Sequence, residues 1–336
     1  MTISKYLYVS QMLLISIVLS ACGSSSSDSG PTMSDVGIRF SDAPVEDLAS
    51  VVITVDKLTF RRSNGDNIVV DTFTSEELNL IDSDTFQLNL LELQGLTSSL
   101  VLDSVTLPVG EYQNLIIEVL DDQSTETYVQ ETVEGVHKEL MVPSNELKLG
   151  RFTVSATSSQ TFVVEFGLRH AMTHNPGPDR YILKPRGVRI VRLADASNIS
   201  GTVDVSTVSC VPSDDTSISH VAYLYEDHGL DAELLGDVFD REIDTDVPEN
   251  IIAPAVATSI DGVTGYYLFP YLNDGDYTVA ISCNAIEDNA ADYDEITIPS
   301  PAGHLVELTL ATETNMTCDF VEGFDATCEE NTSPLE

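Results

Sequence analysis

Gly265-Tyr266-Tyr267-Leu268-Phe269-Pro270-Tyr271-Leu272-Asn273-Asp274-Gly275-Asp276-Tyr277-Thr278-Val279-Ala280-Ile281 is the most strongly patterned stretch of this chain. Two runs rich in aromatic and β-branched residues flank a centre of Asn, Asp and Gly. That is the composition of a strand, a tight turn and a returning strand. Gly275 is expected to permit the turn. Tyr277 and Val279, two residues apart, fall on one face of the second strand.

The same period of two recurs on both sides. Val51, Ile53 and Val55 share one face of a long strand, Asn64-Gly65-Asp66-Asn67 reads as a turn, and residues 67–72 as the return. Phe86-Gln87-Leu88-Asn89-Leu90 alternates and runs into Leu91, Leu93 and Leu96, where a helical turn is expected. Pro108-Val109-Gly110-Glu111-Tyr112 introduces a strand over residues 115–120, and residues 161–168 and 188–193 supply two more. The register restarts near Ser197 with Ile199-Ser200-Gly201-Thr202-Val203, then Ala222-Tyr223-Leu224-Tyr225. Residues 226–250 read as a long acidic loop. The patterned strand, turn and second strand and a last strand over residues 306–310 follow. Many short strands with regular turns make the chain all-β, with two antiparallel β-sandwich domains over residues 35–195 and 196–312. Residues 313–336 are expected to form an acidic tail, disulfide-pinned or partly disordered.

The N-terminus has a different pattern. Lys5 precedes an apolar run over residues 6–19, which ends in Leu19-Ser20-Ala21-Cys22. A positive start, an apolar run and a small-residue site make a secretory signal. A spanning helix needs roughly 17–25 apolar residues, more than this run holds. The cysteine at the site makes residues 1–21 a lipoprotein signal peptide, with Cys22 expected to carry the lipid that anchors the chain to a membrane. More than one acyl chain is needed for stable anchoring. Residues 22–34 form a Ser-rich tether with a reach of about 20 Å. Gly23 stands where an inner-membrane retention signal would place Asp, so resemblance to enterobacterial lipoproteins implies the outer membrane. Either leaflet, periplasmic or external, fits.

The chain carries 55 acidic and 15 basic residues, a formal net charge of −40. A field of that sign excludes nucleic acid as a partner. It suits a solvated surface in a saline habitat, or divalent cations. Once Cys22 is set aside, Cys210, Cys283, Cys318 and Cys328 form an even set in the last third of the chain. In an exported protein that points to disulfides. No C-x₂-C pair suggests zinc.

Two stretches resemble known families. Phe40-Ser41-Asp42-Ala43-Pro44-Val45, Leu88-Asn89-Leu90-Leu91-Glu92-Leu93, Leu107-Pro108-Val109-Gly110-Glu111-Tyr112 and Tyr181-Ile182-Leu183-Lys184-Pro185-Arg186-Gly187-Val188-Arg189 match, in order, the bacterial domain-of-unknown-function family 4382. That family occurs as exported lipoproteins and implies no activity. Ser200-Gly201-Thr202-Val203 and the series Gly265, Phe269, Leu272, Gly275, Tyr277 and Val279 resemble carboxypeptidase-regulatory-like (transthyretin-like) β-sandwiches, which act as spacers or interaction modules. If both domains are sandwiches, Cys210–Cys283 and Cys318–Cys328 are the expected bridges among three possible connectivities.

Candidate chemistry is sparse. His170-Ala171-Met172-Thr173-His174 would present both rings to one metal if helical. It follows a strand and precedes Asn175-Pro176-Gly177-Pro178, so a strand end and loop are expected instead. Asp240, Asp244 and Asp246 could hold Ca²⁺ weakly, or simply be solvated. There is no G-x-S-x-G elbow, phosphate loop or dinucleotide fingerprint, and no cofactor is expected. The sequence reads as a lipid-anchored, non-enzymatic envelope or surface protein that binds a protein or glycan through its loops. A Ca²⁺-binding adhesin and a hydrolase with a dispersed site are the alternatives.

Overall fold

The computed structural model describes residues 32–42, 48–120, 125–175, 177–204, 220–286, 288–321 and 326–331. The signal, residues 22–31 of the tether with Cys22, Ala43-Pro44-Val45 and Cys210 lie outside the described residues; Met33 and Ser34, read as the end of the tether, already belong to the first strand. Among the described residues no helix is long and apolar enough to cross a membrane.

The protein is all-β. In the first unit a four-stranded sheet runs Val188–Arg192, Ser159–Phe166, Met33–Asp42, Ser98–Pro108 in spatial order. A larger sheet, built on Ser50–Arg62 and Gly110–Val119, faces it. Val36, Ile38 and Phe40 from the first sheet and Ile53, Val55 and Phe60 from the second share one core. The leucines after Phe86 form the expected turn, a 3₁₀ helix over Leu90–Leu93 capped by Asn89. The pairing is not purely antiparallel. Met33–Asp42 runs parallel to Ser159–Phe166, and Lys138–Met141 runs parallel to Arg180–Leu183. Alternation along one strand encodes which face is buried but not the direction of its neighbour.

Ser159–Phe166 explains the seam between the units. Phe162, Val164 and Phe166 face the first core. Val163, on the opposite face, packs with Val191, Ala196 and Tyr271 in a second cluster. A strand buried on both faces reads as a continuous apolar run, and Phe162-Val163-Val164-Glu165-Phe166 is one, interrupted only by Glu165. Beyond Val188–Arg192 a 3₁₀ turn over Leu193–Asp195 leaves Ala196 alone before the first strand of the second unit, Ser197–Thr202.

That unit packs Tyr266–Leu272, Ser197–Thr202, Asn315–Asp319 and Thr327–Asn331 against Val256–Ser259, Val221–Glu226, Gly275–Ser282 and Leu305–Leu310. The two strands of the opening stretch, Tyr266–Leu272 and Gly275–Ser282, do not pair with each other: the turn between them carries the chain from one sheet to the facing one, with Tyr277, Val279 and Ile281 in the core. Gly275 does not take a left-handed φ. That conformation falls on Tyr271, at 50°. Gly201 is needed for close approach, because a Cβ there would collide with the Cys318 carbonyl. Two readings are corrected. The stretch read as a tail supplies two strands, Asn315–Asp319 parallel to Ser197–Thr202 and Thr327–Asn331 pinned to it by the Cys318–Cys328 disulfide. The acidic loop is not simply solvated. Its Leu235 and Val238, together with Ala290 and Ile298, cover the outer face of Val221–Glu226 and bury Tyr223 and Tyr225. Sparse apolar residues in an acidic segment carried no period to reveal this.

Cys283 is also disulfide-bonded. Peptide mapping without reduction is expected to recover Cys318 with Cys328, and Cys283 with Cys210; a free thiol at Cys283 would contradict the latter. The Cys318–Cys328 bridge spans a sequence separation of 10, and its removal is expected to cost up to roughly 3 kcal/mol in chemical denaturation.

Candidate binding cleft

The site is built from the scarce cations of the chain. Six of the 15 Lys and Arg residues fall within residues 169–192, and residues 197–336 contain one cation, Arg241, against 29 Asp and Glu. The structure brings the two populations together. Lys184 Nζ lies 2.5 Å from Asp240 Oδ2 and 3.3 Å from Glu242 Oε2. Arg186 donates to the Phe239 carbonyl at 2.7 Å and to the Ala290 carbonyl. Arg189 donates to the Pro270 and Tyr271 carbonyls at 2.6 and 3.3 Å. Arg169 Nη2 reaches Asp288 Oδ2 at 3.4 Å. Gly187 makes the tight course of this segment possible. It holds φ at 72°, and a Cβ there would lie 2.9 Å from the His170 Cβ.

Under the seam, Ser41, Glu165 and Arg189 stand in one row across three strands. Glu165 is fully buried, and among the described residues neither of its oxygens has a donor in hydrogen-bond geometry. Its nearest cation is Arg189 Nη2 at 3.9 Å. The Ser41 hydroxyl donates to the Thr97 carbonyl at 2.9 Å. Burial pushes the Glu165 carboxyl up to about 7 against the pull of Arg189 and Ser41. Tyr271 closes the row from the second unit, its hydroxyl donating to the Leu96 carbonyl at 2.8 Å. Its left-handed φ is uncommon for an aromatic residue and sits at the contact between units.

Beside the seam a cleft of about 650 Å³ opens between the units. Leu48, Leu168 and Met172 give it an apolar floor, while Glu131, Arg169, His174, Tyr181 and residues 288–292 supply polar walls. The His174 ring stacks on Tyr181 at 4.6 Å between centroids. The Tyr181 hydroxyl donates to Glu131 at 2.9 Å, and Lys138 bridges Glu131 and Asp179 at 2.7 and 2.8 Å. Burial, and then Glu131, push Tyr181 up to about 12. Asp288 accepts from the Tyr223 hydroxyl at 2.7 Å and from the Val238 amide at 3.2 Å, and burial raises its pKa. Asp237 lies near it. Burial, opposed by the Ile296 amide, pushes that carboxyl up to about 7. No serine or cysteine is among the described lining residues.

The metal candidates are not brought together. His170 lies in the single helical turn Leu168–Ala171 and His174 in the following strand, Met172–Asn175. The first was expected at a strand end or in a loop. Burial pulls His170 down to about 4, so the ring is neutral and Nδ1–H donates to the Ala255 carbonyl at 3.2 Å. His174 Nε2 meets Asp179 at 3.2 Å. Asp240 is held by Lys184 and Arg186, and Asp244 accepts from the amides of Asp246 and Tyr293. Among the described residues no group of three His, Cys, Asp or Glu side chains could hold a metal ion. Sequence reasoning missed Glu165, Arg169, Arg186, Arg189 and Asp288. The clustering of cations and the lone acid in Phe162-Val163-Val164-Glu165-Phe166 were the available signals.

A carboxyl whose folded pKa lies above its unfolded one holds its proton more tightly in the fold. Its contribution is full below its ordinary value of 4.5 and is lost as pH rises through about 7. Glu165→Gln, which cannot ionise, is expected to gain on the wild type by on the order of 3 kcal/mol between those limits in urea unfolding; parallel pH profiles would contradict this. Arg189→Ala is expected to cost about 3 kcal/mol and to open the 193–196 connection to proteolysis.

No curated protein matches the chain. Solved structures similar to it include GBS52, the minor pilin of Streptococcus agalactiae, at 10% identity and a TM-score of 0.19 over 89% of this chain and 97% of that one. The tip fimbrial protein Mfa3 of Porphyromonas gingivalis, with C-terminal truncation, is similar at 7% identity and a TM-score of 0.22 over 89% and 98%. TM-scores this low transfer no role. Residues 33–185 match the family described as Domain of unknown function (DUF4382). The match stops just short of Val188–Arg192, the strand that completes the first sheet. The first β unit of this protein is therefore a DUF4382 domain.

Proposed function

We propose that this protein is a lipid-anchored, non-enzymatic component of the bacterial envelope, in which two docked β-sandwiches present the cleft between them to a ligand. The observation that carries this reading is the seam. A one-residue connection at Ala196 and four cations crossing to the second unit make a stiff body rather than two beads on a linker. A stiff scaffold with a preformed concavity is what a binding protein requires. The second unit serves as a carboxypeptidase-regulatory-like module. Its Ser200-Gly201-Thr202-Val203 start lies beside Tyr266–Leu272 in one four-stranded sheet, and Gly275–Ser282 lies in the facing one.

The anchor is Cys22, and the outer membrane its destination. Fractionation of cells expressing the wild type and Cys22→Ala tests this. The wild type is expected in the outer-membrane fraction after a salt wash, and the variant in the soluble fraction. Identical distribution of the two would contradict the anchor. Protease shaving of intact and permeabilised cells then assigns the leaflet: cleavage only after permeabilisation places the protein inside and rules out an adhesin.

A further inference from the structure

We propose that the end of the first unit where the chain enters is a membrane-docking face, on which Arg61, Arg62 and Arg151 meet the phosphates of anionic lipid head groups. This deepens the lipid-anchor reading above and rests on it. The Thr32 carbonyl accepts from the Val109 amide at 2.8 Å, and Met33 pairs with Pro108, so the chain enters beside the turn between Ser98–Pro108 and Gly110–Val119. Arg62, Tyr112 and Phe152 stand in one row across three strands, two residues from Gly110. Arg61 and Arg151 flank that row and are exposed. None of the three arginines makes an ion pair or a hydrogen bond with a described residue. Every other Lys and Arg of the first unit lies within ion-pair distance of a carboxylate. In a chain with 55 acids and 15 bases a cation without such a partner is the exception. The three exceptions of the first unit all fall at this end.

Position selects the partner. Residues 22–31 span at most about 35 Å between Cys22 and Thr32, so a lipid on Cys22 holds this end near the head groups. Guanidinium groups match phosphate oxygens bidentately. Asp35, Asp66 and Glu111, on the same segments, balance the three arginines and leave this end without net charge. The rest of the body does not share that balance. The second unit, with 29 acids to one cation, is held by Arg169, Lys184, Arg186 and Arg189 near Phe166, at the opposite end of the first sheet from Met33. An anionic surface repels that far end and accepts this one. The body therefore stands on the arginines, with the second unit outermost.

Hydrogen–deuterium exchange of the wild type, purified from membranes and reconstituted in vesicles, tests this. The vesicles are phosphatidylcholine alone, or with phosphatidylglycerol at about one lipid in three, in about 50 mM salt. In the anionic vesicles the amides of residues 61–67 and 151–158 are expected to exchange about fivefold more slowly than in the neutral ones, the effect of about one arginine near a charged surface. Residues 288–298 of the second unit are expected to exchange equally in both. The double variant Arg61→Gln, Arg151→Gln is expected to lose the difference with Tm unchanged, because neither side chain has a partner to lose. No slowing at this end, slowing at residues 288–298 instead, or full slowing in the double variant would overturn the face. Intact mass keeps the two claims apart. An acylated wild type without slowing contradicts the face alone. A wild type without acyl chains contradicts the anchor, and the face with it.

Discussion

Arg189 is shared between two units. Its guanidinium lies 3.9 Å from the buried Glu165 of its own sheet and donates to the Pro270 and Tyr271 carbonyls of the other unit. An isolated charge in such a place would be heavily penalised, and so would an isolated carboxylate. Each is tolerable because the other is there and because the second unit supplies carbonyl oxygens. The outer face of the first sheet is thus incomplete until Tyr271 and Pro270 cover it. The position of the acidic loop, the cleft and the second sandwich follow from that cover.

The distribution of charge along the chain explains why this contact is specific. The second unit has almost no cations of its own, and Arg241 is used internally, lying over the Phe239 ring and donating to the Val247, Pro248 and Ile251 carbonyls. The first unit keeps Lys184, Arg186, Arg189 and Arg169 near one edge. Like-charge repulsion between two strongly acidic bodies is relieved at this face and at few others. Most of these contacts are to backbone carbonyls or to carboxylates from irregular segments, so they also fix loops that lack a ladder of their own.

Much of this was legible before the structure. The two strands within residues 265–281 were legible from composition and period, though not that they enter opposite sheets, and the strand at residues 51–60 from alternation. The 3₁₀ turn after Phe86 was foreshadowed by its leucines. What stayed hidden shares a physical cause. Parallel pairing of Met33–Asp42 with Ser159–Phe166 depends on chain direction, which a period of two does not encode. The strands at Asn315–Asp319 and Thr327–Asn331 are short, polar and held by a disulfide and a neighbouring strand rather than by their own pattern. The acidic loop contributes buried residues singly, between acids. Cleft residues come from segments far apart in sequence, as Arg169 and Asp288 do, and only the fold brings them together.

A seam that joins the two sandwiches into a single cooperative unit makes them unfold together. Differential scanning calorimetry of the unmodified protein near neutral pH tests this most directly, through the ratio of calorimetric to van't Hoff enthalpy. One transition with a ratio near 1 is the expected result. Two resolved transitions, or a ratio near 2, would show that the units unfold independently and that the seam does not couple them.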